Sequence, residues 1–360
     1  MRRIDAIRRL LTPHQIRESM TLAPQARWRV SVVAGVQAAL CAAIALPLVS
    51  VSPWSHLIGF ASLGSLVALF GRFAPRGDRS SIILQCLLWQ VFAVTVVSLA
   101  GWAGAPDWLQ LMLIAIGCGA FFFISTTGRF GPPGALIFVF AASASVSFTG
   151  SFAQVAERSA AVLVVGILAW VICRLTDTLR YKRSEPDLPR ETLHPLRDRL
   201  NRSLQIALGG AASAFTAYAL GLAHPGWAAL GTVAVMQGPH LHIGMNRALQ
   251  RTIGTLVGAG FVWLLLTQEP PVWVVIAVVV CLMVGTEIVI GSNYALGQVL
   301  VTPMALLMTF LARPTTDLGM VPERVLDTLI GAAVGMALAV LFSTVEERRH
   351  LEDHHSRRSG

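Results

Sequence analysis

Apolar runs close to 20 residues long follow one another along almost the whole chain, and that pattern alone removes most folds from consideration. A hydrocarbon core about 30 Å thick takes about 20 apolar residues of helix to cross. Twelve segments of this kind can be read: 28–50, 54–70, 81–101, 107–125, 133–150 and 157–176, then 203–223, 226–237, 247–267, 272–290, 294–312 and 324–343. Inside lipid each segment has to satisfy its own backbone N–H and C=O groups, which at these lengths means helices. The expected fold class is therefore an all-α polytopic membrane protein with about twelve transmembrane helices. Charged residues make up only 13% of the chain, against about 25% in an ordinary soluble domain. Little is left over for a separate soluble catalytic domain.

The twelve segments read as one six-segment unit written twice. Pro53-Trp54 opens the second segment of the first copy, and Pro225-Gly226-Trp227 opens its counterpart. Pro106-Asp107-Trp108 and Pro271-Val272-Trp273 begin the two fourth segments, and Glu157-Arg158 matches Glu323-Arg324 at the sixth. Gly131 with Ala135-Leu136 matches Gly291 with Ala295-Leu296 at the fifth. An even number of crossings gives both copies the same orientation, so they are expected as parallel repeats about an axis along the membrane normal. The expected division is an amphipathic arm over 1–27, a first repeat over 28–176, a linker over 177–202, a second repeat over 203–343 and a tail over 344–360.

The net charge of +9 does not point to nucleic acid, because of where it lies. With the N-terminus inside, 25 of the 28 basic residues fall on one side, leaving Arg158, Arg313 and Arg324 opposite. That bias places both termini in the cytoplasm. The first 28 residues are Arg-rich without an apolar core, so they do not read as a cleavable signal peptide. Ile4, Ile7, Leu10 and Leu11 share one helical face, as an amphipathic helix lying on the inner leaflet would have them. The five cysteines are scattered singly through apolar segments, a packing pattern rather than a metal or redox one.

The sharpest local pattern runs from Asn246-Arg247 through Arg251 and Gly254-Thr255 to Gly258. Positions 247, 251, 254 and 258 share a helix face, so two guanidinium groups lead into a small-residue groove. Gly331 and Gly335 repeat that small-residue spacing in the last segment. The glycines read as helix-packing positions. The arginines read either as topology anchors at the inner interface or as a bidentate grip on a carboxylate. Segment 226–237 is too short to span and breaks at Gln237-Gly238-Pro239-His240, and its partner 54–70 is also short. Paired short segments mark binding sites in repeat transporters, although a surface turn would give the same break. Asn246, Arg247, Arg251, Thr255, Gln237 and His240 are accordingly the candidate substrate-binding residues.

Glu287 is the one acidic residue well inside an apolar run, roughly 21 Å from Trp273 along a helix. Arg247 and Arg251 reach a similar depth from the other face, so Glu287 is expected to pair with one of them. Such a carboxylate either couples transport to protons or simply fixes the bundle. Glu323 and Arg324, with Asp327 one turn deeper, read as an interfacial salt bridge or an outer gate. His240 and His242 could titrate but are poorly spaced for a metal. No nucleotide-binding, dinucleotide, metalloprotease or serine-elbow motif is present, and no cofactor or metal is expected.

The Arg-x-x-x-Arg-x-x-Gly-Thr-x-x-Gly run at 247–258, with Glu323-Arg324-Val-Leu-Asp327-Thr328-Leu-Ile-Gly331, resembles recurring phrases of the fusaric acid resistance / aromatic acid exporter superfamily of bacterial inner-membrane proteins. A related phrase marks the plant malate-channel family. The resemblance implies efflux of aromatic or other organic carboxylic acids, driven by the proton gradient and often assisted by a periplasmic adaptor. The chain departs from larger members in having no sizeable cytoplasmic domain, and its first copy runs from Arg79-Ser80-Ser81 into Leu84-Gln85-Cys86 without the Gly-Thr-x-x-Gly phrase. Expected partners are an organic-anion small molecule, the lipid bilayer, an adaptor protein and further copies of the chain. A passive anion channel and a non-transporting membrane scaffold are the alternative readings; an enzyme is not expected. The unequal copies put most of the substrate chemistry in the second.

Overall fold

A computed structural model describes residues 28–75, 77–146, 149–180, 192–238, 240–312, 318–345, 347 and 348, together with Asp5, Leu10, Ser19 and Leu351. Among them are twelve α-helices and no strand. They are α1 (Trp28–Ser50), α2 (Ile58–Ser65), α3 (Asp78–Trp102), α4 (Asp107–Thr127), α5 (Leu136–Ala144), α6 (Phe152–Leu175), α7 (Leu196–Ala219), α8 (Gly226–Met236), α9 (Leu241–Leu266), α10 (Val272–Val289), α11 (Tyr294–Ala312) and α12 (Met320–Leu341). Eight of these are long and apolar enough to cross a membrane: α1, α3, α4, α6, α9, α10, α11 and α12. The remaining four depart from a simple twelve-span reading for identifiable reasons. Helix α7 begins at Leu196, and Arg197, Asp198, Arg199 and Arg202 make its first turns polar. Helix α5 has only 9 residues where an apolar run of 133–150 suggested a span. At 1.5 Å per residue it is about 14 Å long.

The short helices α2 and α8 are buried at every residue. A helix too short to cross lipid leaves irregular backbone at its end, which is tolerable only where protein covers it. Here α6 lies against α2, and α12 lies against α8. Small residues make the second contact close: a side chain at Gly331 would strike the Ala228 carbonyl, and Thr232 Oγ1 donates to the Gly331 carbonyl at 3.0 Å. The long helices turn apolar side chains outward, as Leu84, Leu88 and Phe92 do on α3, while Cys86 and Gln90 of the same helix face in. Leu10 of the N-terminal arm packs with Leu241, Met245, Val340 and Leu351; the other residues of the expected amphipathic face lie outside the described residues.

Besides smaller contacts of α5 with α8, α2 with α11 and α4 with α8, the two halves of the chain meet along two main helix pairs, α4 with α7 and α1 with α10. Each pair joins the fourth helix of one half to the first helix of the other. Close approach is secured by glycine: Gly119 faces the Ser203 carbonyl, and Gly35 faces the Glu287 side chain. Within each half the same contacts recur, α3 with α6 and α9 with α12, α3 with α5 and α9 with α11.

Candidate functional site

Arginines close the basic end of the first half. Arg79 stands in the first turn of α3, after Gly77 at φ 89°, and is 2% exposed. Its Nη2 donates to Gln37 Oε1 at 2.7 Å and to the Ala68 carbonyl at 2.9 Å, and Asp177 lies 3.6 Å from Nη1. Arg180 donates through Nε to Asp177 Oδ1 at 2.7 Å and through Nη1 to the Arg72 carbonyl at 2.9 Å. These guanidinium groups tie α1, the 71–72 turn and the end of α6 together.

Arg72 itself forms an ion pair with Glu287 of α10, the two side chains being 8% and 5% exposed. This corrects the expectation that Glu287 would pair with Arg247 or Arg251. Helix α10 packs on α1, and a Cβ at Gly35 would lie only 2.8 Å from Glu287 Cβ, so Glu287 faces the first half of the chain rather than α9. Burial, and then the neighbouring Arg79, pull the Arg72 guanidinium down to about 10, which leaves it a cation at neutral pH.

A second group of charges lies inside the second half. Arg251, ten residues along α9 and 2% exposed, donates through Nη1 to the Tyr294 hydroxyl at 3.2 Å and to Gln298 Oε1 at 3.4 Å. Tyr294 and Gln298 are one turn apart on α11, which Gly254 brings close: a Cβ there would be 2.6 Å from the Ala295 carbonyl. Arg324, in the second turn of α12, places its guanidinium carbon 4.9 Å from the centre of the Trp227 ring. It lies within electrostatic reach of Arg251, Asp327 and Tyr294. Asp327 is fully buried. Arg251 Nε, Arg324 Nε and Nη1, and both Asp327 oxygens have no hydrogen-bond partner among the described residues. Arg251 and Asp327 both lie within electrostatic reach of Arg324, and Glu323 within reach of Asp327, so buried charges with unpartnered donors and acceptors meet here, which is expensive unless something else is held there.

The other expected site residues distribute around this group. Thr255, one turn further along α9, accepts a hydrogen bond from Thr302 Oγ1 at 3.3 Å. Asn246 and Arg247 are half-buried, one turn or slightly more toward the start of α9. Gln237 follows α8 with its Oε1 beside Gly134, and the ring of His240 stacks on His242 with centroids 5.7 Å apart. Gly258 faces Val299 and Pro303 of α11, and Gly335 faces Thr232 and Val235 of α8. The structure thus brings Arg251, Arg324 and Asp327 together and sends Glu287 elsewhere.

The expected Glu323–Arg324 pair is corrected as well. Glu323 Oε2 is 2.8 Å from His224 Nδ1, while Arg324 turns inward over Trp227, whose ring stacks on His224 at 4.3 Å. In the first half Glu157 Oε2 meets His56 Nε2 at 3.3 Å, and Arg158 lies 5.3 Å over the Phe60 ring. Adjacent residues on a helix point about 100° apart, so the acid finds the loop histidine and the arginine finds the buried ring. Tyr294, Gln298 and Trp227 were not among the expected site residues. Their signals were Tyr and Gln four apart at a helix start, and a Trp opening a segment too short to span.

Residues 200–338 match the family described as fusaric acid resistance protein-like, a span that contains Arg251, Arg324 and Asp327. No curated protein and no solved structure matches the chain. The family resemblance read from the sequence holds over this second half. With eight helices of spanning length, it identifies a multi-pass membrane protein and points to a role in membrane transport or efflux.

Proposed function

We propose that this protein, whose second half matches the fusaric acid resistance family, exports organic carboxylates, aromatic ones among them, across a bacterial inner membrane with both termini in the cytoplasm. The observation that carries the reading is the buried Arg251–Arg324–Asp327 group with its unpartnered donors. A monovalent carboxylate would offset the positive charge of that group and accept the free guanidinium N–H groups. The inner-basic distribution of arginine and lysine supports the orientation.

Two parallel six-helix copies form the frame in this reading. The recurring contacts support it: His56–Glu157 with His224–Glu323, Phe60–Arg158 with Trp227–Arg324, and Gly64 against Gly166 with Gly231 against Gly331. The proton-motive force acts on anion exit through its electrical part, about 2.3 kcal/mol per charge for each 100 mV of potential, negative inside. Asp327 adds the pH dependence. When ionised it competes with substrate for the same guanidinium groups, and when protonated it yields them.

Benzoate flux into and out of liposomes holding the purified protein, with voltage and pH imposed separately, tests this. Flux should follow the voltage, saturate with benzoate and fall at least tenfold in Arg251→Ala and Arg324→Met. Equal flux in wild type and both variants would remove the site, and flux that never saturates would favour a passive channel.

A further inference from the structure

The Tyr294 hydroxyl meets one buried guanidinium of the second half and lies close to the other. Its oxygen accepts from Arg251 Nη1 at 3.2 Å, and the phenol is within electrostatic reach of Arg324. Gln298, one turn on along α11, takes the same Nη1 through its Oε1 at 3.4 Å, so two points of one helix hold the head of Arg251. Asn293 caps that helix: its Oδ1 accepts from the backbone N–H of Ala295 at 2.7 Å and of Leu296 at 3.3 Å. The phenol is thus fixed at its base as well as at its tip.

A phenol has one proton to give besides the lone pairs it offers. Arg251 uses a lone pair, and among the described residues no acceptor takes the proton. Arg251 Nε, Arg324 Nε and Arg324 Nη1 are unpartnered as well. Each Nε carries one N–H and Nη1 carries two, which matches the roughly four lone-pair positions of a single carboxylate. The guanidinium groups can therefore saturate a carboxylate by themselves, and the Tyr294 O–H is left over. It finds an acceptor only if the ligand carries another one beside the carboxylate. A neutral acceptor suits the place better than a second carboxylate, because Asp327 and Glu323 already bring negative charge near it. Tyr294 is half-buried in the first turn of α11, whereas Arg251 and Arg324 are each 2% exposed, so the phenol stands on the more open side of the group.

We propose that Tyr294 is a specificity-determining residue of the carboxylate site. Its O–H donates to a neutral acceptor on the atom next to the carboxylate, so that 2-oxo acids bind in preference to acids with a methylene at that atom. This rests on the carboxylate reading of the same site. Discrimination arises because an acid without the acceptor strips water from the O–H and returns no hydrogen bond. Gln298 acts through Arg251, as a positioning residue.

Phenylglyoxylate and phenylacetate are the matched probes: they have the same charge and nearly the same size, and differ by C=O against CH₂ beside the carboxylate. Titration calorimetry on the full chain in zwitterionic nanodiscs at neutral pH gives a Kd for each, and for benzoate. Wild type should bind phenylglyoxylate at least tenfold more tightly than phenylacetate. Tyr294→Phe, which removes one oxygen, should erase that preference while leaving the phenylacetate Kd within about threefold of wild type. A purely structural role for Tyr294 would weaken both acids alike and leave their ratio unchanged. A wild-type ratio near one, or the wild-type ratio retained in Tyr294→Phe, overturns the proposal. Should Tyr294→Phe not fold, Tyr294→Met, which also lacks the hydroxyl, is read by the same ratio. Saturable benzoate binding with a ratio near one overturns this proposal and leaves the carboxylate site standing, whereas no saturable binding of any of the three acids overturns both.

Discussion

Removing one member of the Arg72–Glu287 pair should cost far more than removing both. The two side chains are 8% and 5% exposed and join the first half of the chain to the second across the α1–α10 contact. At an effective dielectric of about 20, unit charges about 4 Å apart attract by about 4 kcal/mol, and burial this deep leaves little room for screening by salt. Arg72→Met alone strands a carboxylate, and Glu287→Met alone strands a guanidinium. Each should destabilise by about 3–5 kcal/mol. In the double variant, Arg72→Met with Glu287→Met, no charge is left unpaired, and apolar side chains of similar volume pack in the same space. Its stability should lie within about 1 kcal/mol of wild type, giving a coupling of several kcal/mol in the double-mutant cycle. Unfolding in detergent–dodecyl sulfate mixtures, followed by tryptophan fluorescence, measures all four proteins. A double variant that loses the sum of the two single losses would refute the reasoning, as would single variants costing under about 1 kcal/mol.

Asp327→Asn should flatten the pH profile of benzoate flux and raise flux at pH 8 toward its value at pH 6, because an uncharged amide no longer competes for Arg324; a profile unchanged from wild type would show that Asp327 is not the titrating group. Glu323→Gln should change stability by less than about 1 kcal/mol in the same unfolding assay, since Glu323 and His224 are 24% and 37% exposed and surface pairs contribute little. Gly331→Val should fail to reach wild-type yield or should lose at least about 2–3 kcal/mol, because branched carbons would collide with the Ala228 carbonyl on α8; fluorescence-detected size exclusion followed by unfolding checks it.

The helices were legible in the sequence wherever an apolar run met a helix-starting signal. Pro106 and Pro271 stand immediately before α4 and α10, and Gly104 and Gly221 take positive φ in turns between helices. The shortness of segment 226–237 was legible too, together with the requirement that protein cover it. The partner of Glu287 was not. Counting residues along α9 and α10 gives depth, and depth alone made Arg251 a plausible partner. Which way Glu287 turns depends on Gly35, far away on α1, and periodicity within α10 carries no trace of that contact. Arg79 was hidden for a related reason: an arginine at a basic loop reads as a topology signal until Gln37, a polar residue in an otherwise apolar run, is seen to meet it.

The unequal treatment of charge in the two halves gives the fold a physical direction. In the first half Arg79 finds an amide, a carbonyl and a carboxylate, and Arg180 a carboxylate and two carbonyls. Arg72 finds Glu287 from the other half. Charges paired in this way hold helices in one arrangement, because any movement parts opposite charges in a low-dielectric interior. In the second half Arg251, Arg324 and Asp327 are equally buried, and among the described residues none of them stands in an ion pair, so the empty state carries a desolvation cost that an incoming anion can relieve. A helix whose buried charges are already ion-paired gains little by moving, whereas α12 and α9 gain by closing on a ligand. The Arg72–Glu287 pair would then serve as the fixed point between them: it anchors α10 to the first half while α9, α11 and α12 respond to occupancy. On this argument the first half is the frame against which the second half works, and a crosslink between α1 and α10 should leave benzoate flux intact while one between α9 and α12 should stop it.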